Sequence, residues 1–106
     1  MSKPVRRVIL KKPETFADLE RAHKVTVQNL KIILREYANS GLAISGRAVN
    51  SLIDRVKFTK QDLRELILIA ERGKLQTQGI VKSEYQLVIN YLGKMLSVIA
   101  QLTRDA

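Results

Sequence analysis

The sequence has no cysteine, no tryptophan, one histidine and two prolines, and only 5% of it is aromatic. Each scarcity removes a class of explanation. Without cysteine there is no disulfide framework, thiolate nucleophile or thiolate-ligated metal. With His23 as the lone imidazole, a histidine-based triad or metal cluster has too few members, and neither a Gly-rich phosphate loop nor a spaced set of carboxylates replaces it. No enzyme, metal site or cofactor is therefore expected. No apolar run approaches the roughly 20 residues that span a bilayer, and the uncharged residues 95–103 are interrupted by Ser97 and Gln101, so a membrane is not an expected partner. The opening, MSKPVRRVILKKPETF, lacks the apolar core of a secretory signal because Lys11 and Lys12 follow Val8, Ile9 and Leu10 at once, and it is shorter and less serine-rich than a mitochondrial presequence. A cytoplasmic or other intracellular location is the expectation.

What is present is aliphatic and basic. The 106 residues are 45% hydrophobic, enough for one core and too few for two. Nineteen Lys and Arg against ten Asp and Glu give +9, a charge that favours anionic partners and makes encounters with them salt-sensitive. Pro4 and Pro13 bracket the first stretch and disfavour a continuous helix there. The organisation expected is a flexible basic N-terminal arm over residues 1–13 and a helical domain over residues 14–106.

Capping signals divide that domain into helices. Thr15, with Asp18 three residues on, starts a long first helix that runs to about Ala38 and is stopped by Asn39, Ser40 and Gly41. Ser45 caps a short second helix through Val56, with Val49, Leu52, Ile53 and Val56 as its inner side. Thr59 with Asp62 opens a third that ends before Gly73, and Ser83 with Gln86 opens a fourth that reaches about Arg104. The fold expected is all-α, a single-domain four-helix bundle of two long and two short members.

The faces of the long helices carry the functional reading. On a 3.6-residue wheel Phe16, Leu19, His23, Val27, Leu30, Ile33, Leu34 and Tyr37 share the core side of the first helix, with His23 as a core-edge residue. The opposite side carries Arg21, Lys24, Gln28, Lys31 and Arg35, a basic stripe about 21 Å long at 1.5 Å per residue. Together with Lys3, Arg6, Arg7, Lys11 and Lys12 of the arm, this is the layout of a protein that follows a nucleic-acid backbone, with DNA ahead of RNA as the partner. Lys3, Arg6, Arg7, Lys11, Lys12, Arg21, Lys24, Lys31 and Arg35 are the candidate contacts. Weak sequence discrimination is expected of them.

A protein interface is the alternative. Val25 and Ile32 lie one ridge from the stripe and away from the core, and the fourth helix has an apolar arc wider than one neighbour can bury. Its other side is nearly uncharged, and Gly93 permits close helix approach. Val25, Ile32, Tyr91 and Gly93 are the candidate contacts for self-association or for another protein of a larger assembly. Two DNA-binding motifs fit less well. A helix-turn-helix over residues 16–35 puts Glu20 where a small residue belongs and Lys24 where the turn needs glycine, so a continuous helix is expected there. A ribbon formed by Val5, Arg7, Ile9 and Lys11 would mix apolar and basic residues on both faces.

Overall fold

The computed structural model describes residues 15–105, so the basic segment of residues 1–13 and its five candidate contacts lie outside the described residues. Five helices follow one another: α1 Phe16–Arg21, α2 Val27–Ser40, α3 Gly46–Ile53, α4 Lys60–Leu75 and α5 Gly79–Asp105. The described chain contains no strand, and the protein is all-α.

The caps form where short polar side chains were placed to form them. Thr15 accepts the N–H of Asp18, Ser45 accepts that of Ala48, and Thr59 and Asp62 exchange side-chain and backbone bonds in a full capping box. Gly41 closes α2 at φ 66°, the left-handed conformation that glycine adopts without a steric penalty.

Four expected boundaries move, the smallest being the end of α3, at Ile53 rather than Val56. The long first helix is two helices, broken at residues 22–26, and the break has its own cap: the Thr26 hydroxyl accepts the N–H of Asn29 at 3.0 Å. Val25, Thr26 and Val27 form a β-branched run that weakens helix continuity at that place. The break lets α1 turn back and lay Phe16 and Leu19 into the core, with the Phe16 and Tyr37 rings 4.9 Å apart. A six-residue helix is marginal by itself. Arg55 secures its C-terminal end by donating to the carbonyls of Glu20 and Ala22 at 3.3 and 3.2 Å, so this guanidinium closes α1.

Gly73 does not stop α4, which continues to Leu75. A Cβ at Gly73 would lie 2.2 Å from Cε1 of Tyr85, so the glycine is the seat of that ring. The Tyr85 hydroxyl donates to the Leu42 carbonyl at 2.8 Å, tying the α4–α5 pair to the loop after α2. Burial, helped by the nearby Tyr37, pushes the Tyr85 pKa up to about 12. Finally, α5 starts at Gly79 rather than Ser83, whose hydroxyl donates to the Gly79 carbonyl inside the helix.

The α4–α5 hairpin is the centre of the fold. Leu63, Leu66 and Ala70 of α4 and Tyr85, Val88 and Leu92 of α5 are fully buried. Helix α2 lies on α4 through Leu30, Ile33 and Leu34, and α3 lies on α5 through Val49, Leu52 and Ile53, with α1 bridging α2 and α3. Gly46 permits the α3–α5 approach: a Cβ there would stand 2.8 Å from the Glu84 carbonyl, and its own N–H donates to the Glu84 carboxylate.

Candidate functional site

The break in the first helix dissolves the stripe expected on it. Arg21 ends α1 and pairs with Asp18, while Lys24 is exposed in the connector. Lys31 faces inward: its side chain is 9% exposed, and its ammonium donates to Asp62 at 2.8 Å and Glu65 at 2.7 Å on α4. Burial alone pulls the Lys31 pKa down, but the two hydrogen bonds and charges outweigh it and leave the group above its ordinary value. The same ammonium holds Asp62 and Glu65 below theirs, helped at Asp62 by the Thr59 N–H and at Glu65 by Gln61. Lys31 is therefore a clasp between α2 and α4.

Arg35 remains outside and meets residues that a helical wheel of the first helix does not single out. Together with Asn39, Leu68, Ile69 and Arg72 it lines a cleft of about 170 Å³ between α2 and α4. These helices run parallel, since Lys31 meets Asp62 and Glu65 while Arg35 and Asn39 reach Arg72. Arg72 donates to the Asn39 side-chain Oδ1 at 3.5 Å, which ties it to α2 in the cleft that Arg35 also lines. Arg64, Leu68 and Arg72 recur every fourth residue, so they share one outward face of α4. Two of them were legible as exposed bases, but their alignment with Arg35 depends on how α2 packs. Because α4 lies along α2, the exposed surface is two helices wide and α2 does not stand clear as a helix that could enter a groove.

The remaining expectations divide. Val25 packs on the core, His23 is exposed rather than at the core edge, and a Cβ at Gly93 would meet nothing within 4 Å, so no helix among the described residues approaches it. Ile32 is exposed, as expected. Leu68, in the apolar run of residues 66–70 of α4, is 65% exposed. Tyr91 is half-buried, and its hydroxyl donates to Asp54, which raises the phenol pKa by stabilising the protonated form.

Tyr91 also stands where three cavities meet along α5. One, of about 400 Å³, is lined by Arg47, Asn50, Ser51, Asp54 and Leu87 with Tyr91. The others continue past Asn90 and Lys94 to Met95, Val98 and Ile99. Asn50 Oδ1 is buried in this wall without a hydrogen-bond partner among the described residues.

The distribution of ion pairs and hydrogen bonds sorts the charges. Asp18, Asp54, Asp62, Glu65 and Glu84 are each taken up by a partner within the fold. Lys24, Arg35, Arg47, Lys57, Arg64, Lys82 and Lys94 are exposed and take no part in those pairings. Among the described residues no group of His, Cys, Asp and Glu could hold a metal ion, and no helix is long and apolar enough to cross a membrane. Comparison with protein-family models, curated proteins and solved structures returns no match to this chain.

Proposed function

We propose that the chain is a small non-enzymatic protein that binds nucleic acid through its phosphates. The contacts are Lys3, Arg6, Arg7, Lys11 and Lys12 of the basic N-terminal segment, Lys24, and the two-helix face of Arg35, Arg64 and Arg72. The observation that supports this most is the charge balance: pairings within the fold take up Asp18, Asp54, Asp62, Glu65 and Glu84, so that in a chain of net charge +9 the exposed bases outnumber the exposed Glu20, Glu36 and Glu71. Arg64 and Arg72 stand about 12 Å apart along α4, several times the ~3.4 Å rise between phosphates of one strand, and Arg72 lines the cleft with Arg35. Arg21 and Lys31 leave the contact set because carboxylates within the fold take up their charge, which the neutral Asn39 does not do for Arg72. Duplex DNA is favoured as ligand because single-strand binders stack bases on exposed aromatics, and here Phe16 and Tyr85 are buried, Tyr37 and Phe58 pack on the core, and the half-buried Tyr91 is held by Asp54.

The test is fluorescence anisotropy of a labelled mixed-sequence duplex at two salt concentrations. The full chain is compared with two variants, one with the five arm bases changed to Gln and one with Arg35, Arg64 and Arg72 changed to Gln. Each variant is expected to bind more weakly and to flatten the salt dependence by about 0.9 in log–log slope for every phosphate it no longer neutralises. Failure of the full chain to bind at low salt overturns the reading. The alternative, a helical interaction module in a larger assembly, draws on a separate observation, the exposed apolar strip of α5.

A further inference from the structure

Helices α3 and α5 run parallel and in step. The Gly46 N–H meets Glu84, Asn50 shares a cavity with Leu87 and Tyr91, and Asp54 takes the Tyr91 hydroxyl. Helix α3 then ends at Ile53, after eight residues, but α5 continues to Asp105. Among the described residues, the strip of α5 that α3 covers therefore runs on uncovered. Its floor is a trough of about 320 Å³ lined by Tyr91, Lys94, Met95, Val98 and Ile99, where Val98 is 52% exposed, and beyond it Leu102 is 65% exposed.

We propose that this strip is the seam of a homodimer, filled by the same strip of a second copy running antiparallel. The spacing sets the kind of occupant. Tyr91, Met95, Val98 and Leu102 succeed one another by four, three and four residues, the repeat that packs one helix against another with the same repeat, and this chain carries such a helix. Charge sets which copy of that repeat fits. Between Glu84 and Arg104 the sole charged residue is Lys94, too little to recruit an acidic partner and little enough to be duplicated across a two-fold axis. Orientation follows from the rest of the fold. In a parallel pair the two positively charged bundles would lie side by side, whereas an antiparallel pair puts them at opposite ends. With the axis between Met95 and Val98, Met95 packs on Val98 of the second copy, Tyr91 on Leu102, and Lys94 lies beside the neutral Gln101.

Sedimentation equilibrium of the full chain without nucleic acid tests this, independently of the phosphate-binding reading. A monomer–dimer equilibrium is expected that tightens or holds as salt screens the repulsion between copies, the reverse of the salt response of a phosphate contact. Val98→Glu places a charge twice in the seam and is expected to raise the dimer Kd by about a hundredfold or more while the far-UV helical signal is retained. If it disturbs that signal, Leu102→Glu replaces it. Because the chain has no cysteine, single-cysteine variants report the geometry. Met95→Cys mixed with Val98→Cys is expected to cross-link, and Leu102→Cys is expected not to cross-link with itself. A chain that stays monomeric to millimolar concentration overturns the proposal, as does a dimer indifferent to Val98→Glu and Leu102→Glu. Self-cross-linking of Leu102→Cys overturns the antiparallel seating.

Discussion

The two halves of α5 are about equally apolar, but the first, apart from the exposed Ile80 and Leu87, is sealed and the second is open. In the first half Tyr85, Val88 and Leu92 are fully buried between α4 and α3, with Gly73 seating the Tyr85 ring and Gly46 admitting the backbone of Glu84 and the side chain of Leu87. In the second half Val98 and Leu102 are more than half exposed. The difference does not reside in α5. At 1.5 Å per residue the 27 residues of α5 extend about 40 Å, against about 24 Å for the 16 of α4 and about 12 Å for the eight of α3. Burial along a helix ends where its neighbours end, so an even apolar pattern can serve two purposes in succession.

The sealed region is expected to break most sharply at Gly73. An alanine there would set its methyl 2.2 to 2.6 Å from three atoms of the Tyr85 ring, and the ring cannot retreat because it is fully buried and its hydroxyl is held by the Leu42 carbonyl. Gly73→Ala should gain up to about 1 kcal/mol in helix propensity and still lose about 3 kcal/mol overall from overpacking. Urea denaturation measures it, and a second change, Tyr85→Leu, should restore part of the loss by vacating the ring's space. An alanine variant as stable as the parent would mean that the seat is not tight.

Gly73 also shows what was legible in the sequence. The caps at Thr15, Ser45, Thr59 and Gly41 are local chemistry, readable from residues three or four apart, and they form as read. A glycine in a helical stretch is ambiguous, because the same residue serves as a stop or as a seat. Here the choice is made by a tyrosine on the opposing helix. The break at residues 22–26 was hidden for a related reason: Leu30, Ile33 and Leu34 fit the core side of a continuous helix as well as a broken one. Thr26 among β-branched neighbours, with Asn29 three residues later, was the available signal. The inward turn of Lys31 had no local signal, since its partners lie on α4. A wheel assigns residues to a face, and packing decides which face is outside.

A second break in the sealed region, smaller than the first, is Lys31→Met. The methionine keeps most of the buried stem but leaves Asp62 and Glu65 without their cation. Their side chains are 23% and 41% exposed, so water replaces part of the loss, and the cost should be about 2 kcal/mol rather than the ~3–5 of a fully buried pair. The pH profile identifies the clasp. The two carboxylates are held below their ordinary values of 3.8 and 4.5, so their contribution is full above those values and is lost as pH falls through the lowered ones. Lys31 is held above its ordinary 10.5, so its contribution is full below that pH and is lost as pH rises through the raised value. The stability difference between parent and Lys31→Met should therefore be widest between about pH 5 and 10 and narrow on both sides. A difference independent of pH would reduce Lys31 to a packing residue.

The smallest effect, opposite in sign, is expected in the open half. Gly93 sits mid-helix, where glycine costs about 0.5–1 kcal/mol relative to alanine, and an added Cβ would meet nothing within 4 Å. Gly93→Ala should therefore stabilise the chain by about that amount in the same urea titration that shows Gly73→Ala to be damaging. Two glycines twenty residues apart on facing helices would then respond in opposite directions to one methyl group. The same variant refines the seam, because Gly93 falls two positions after Tyr91 and two before Met95, on the side of α5 turned away from the Met95–Val98 axis. Its dimer Kd should match that of the parent. A loss of dimer with intact helix would move the seam around α5 toward Gly93, and would make its open side a site of close approach by a second copy.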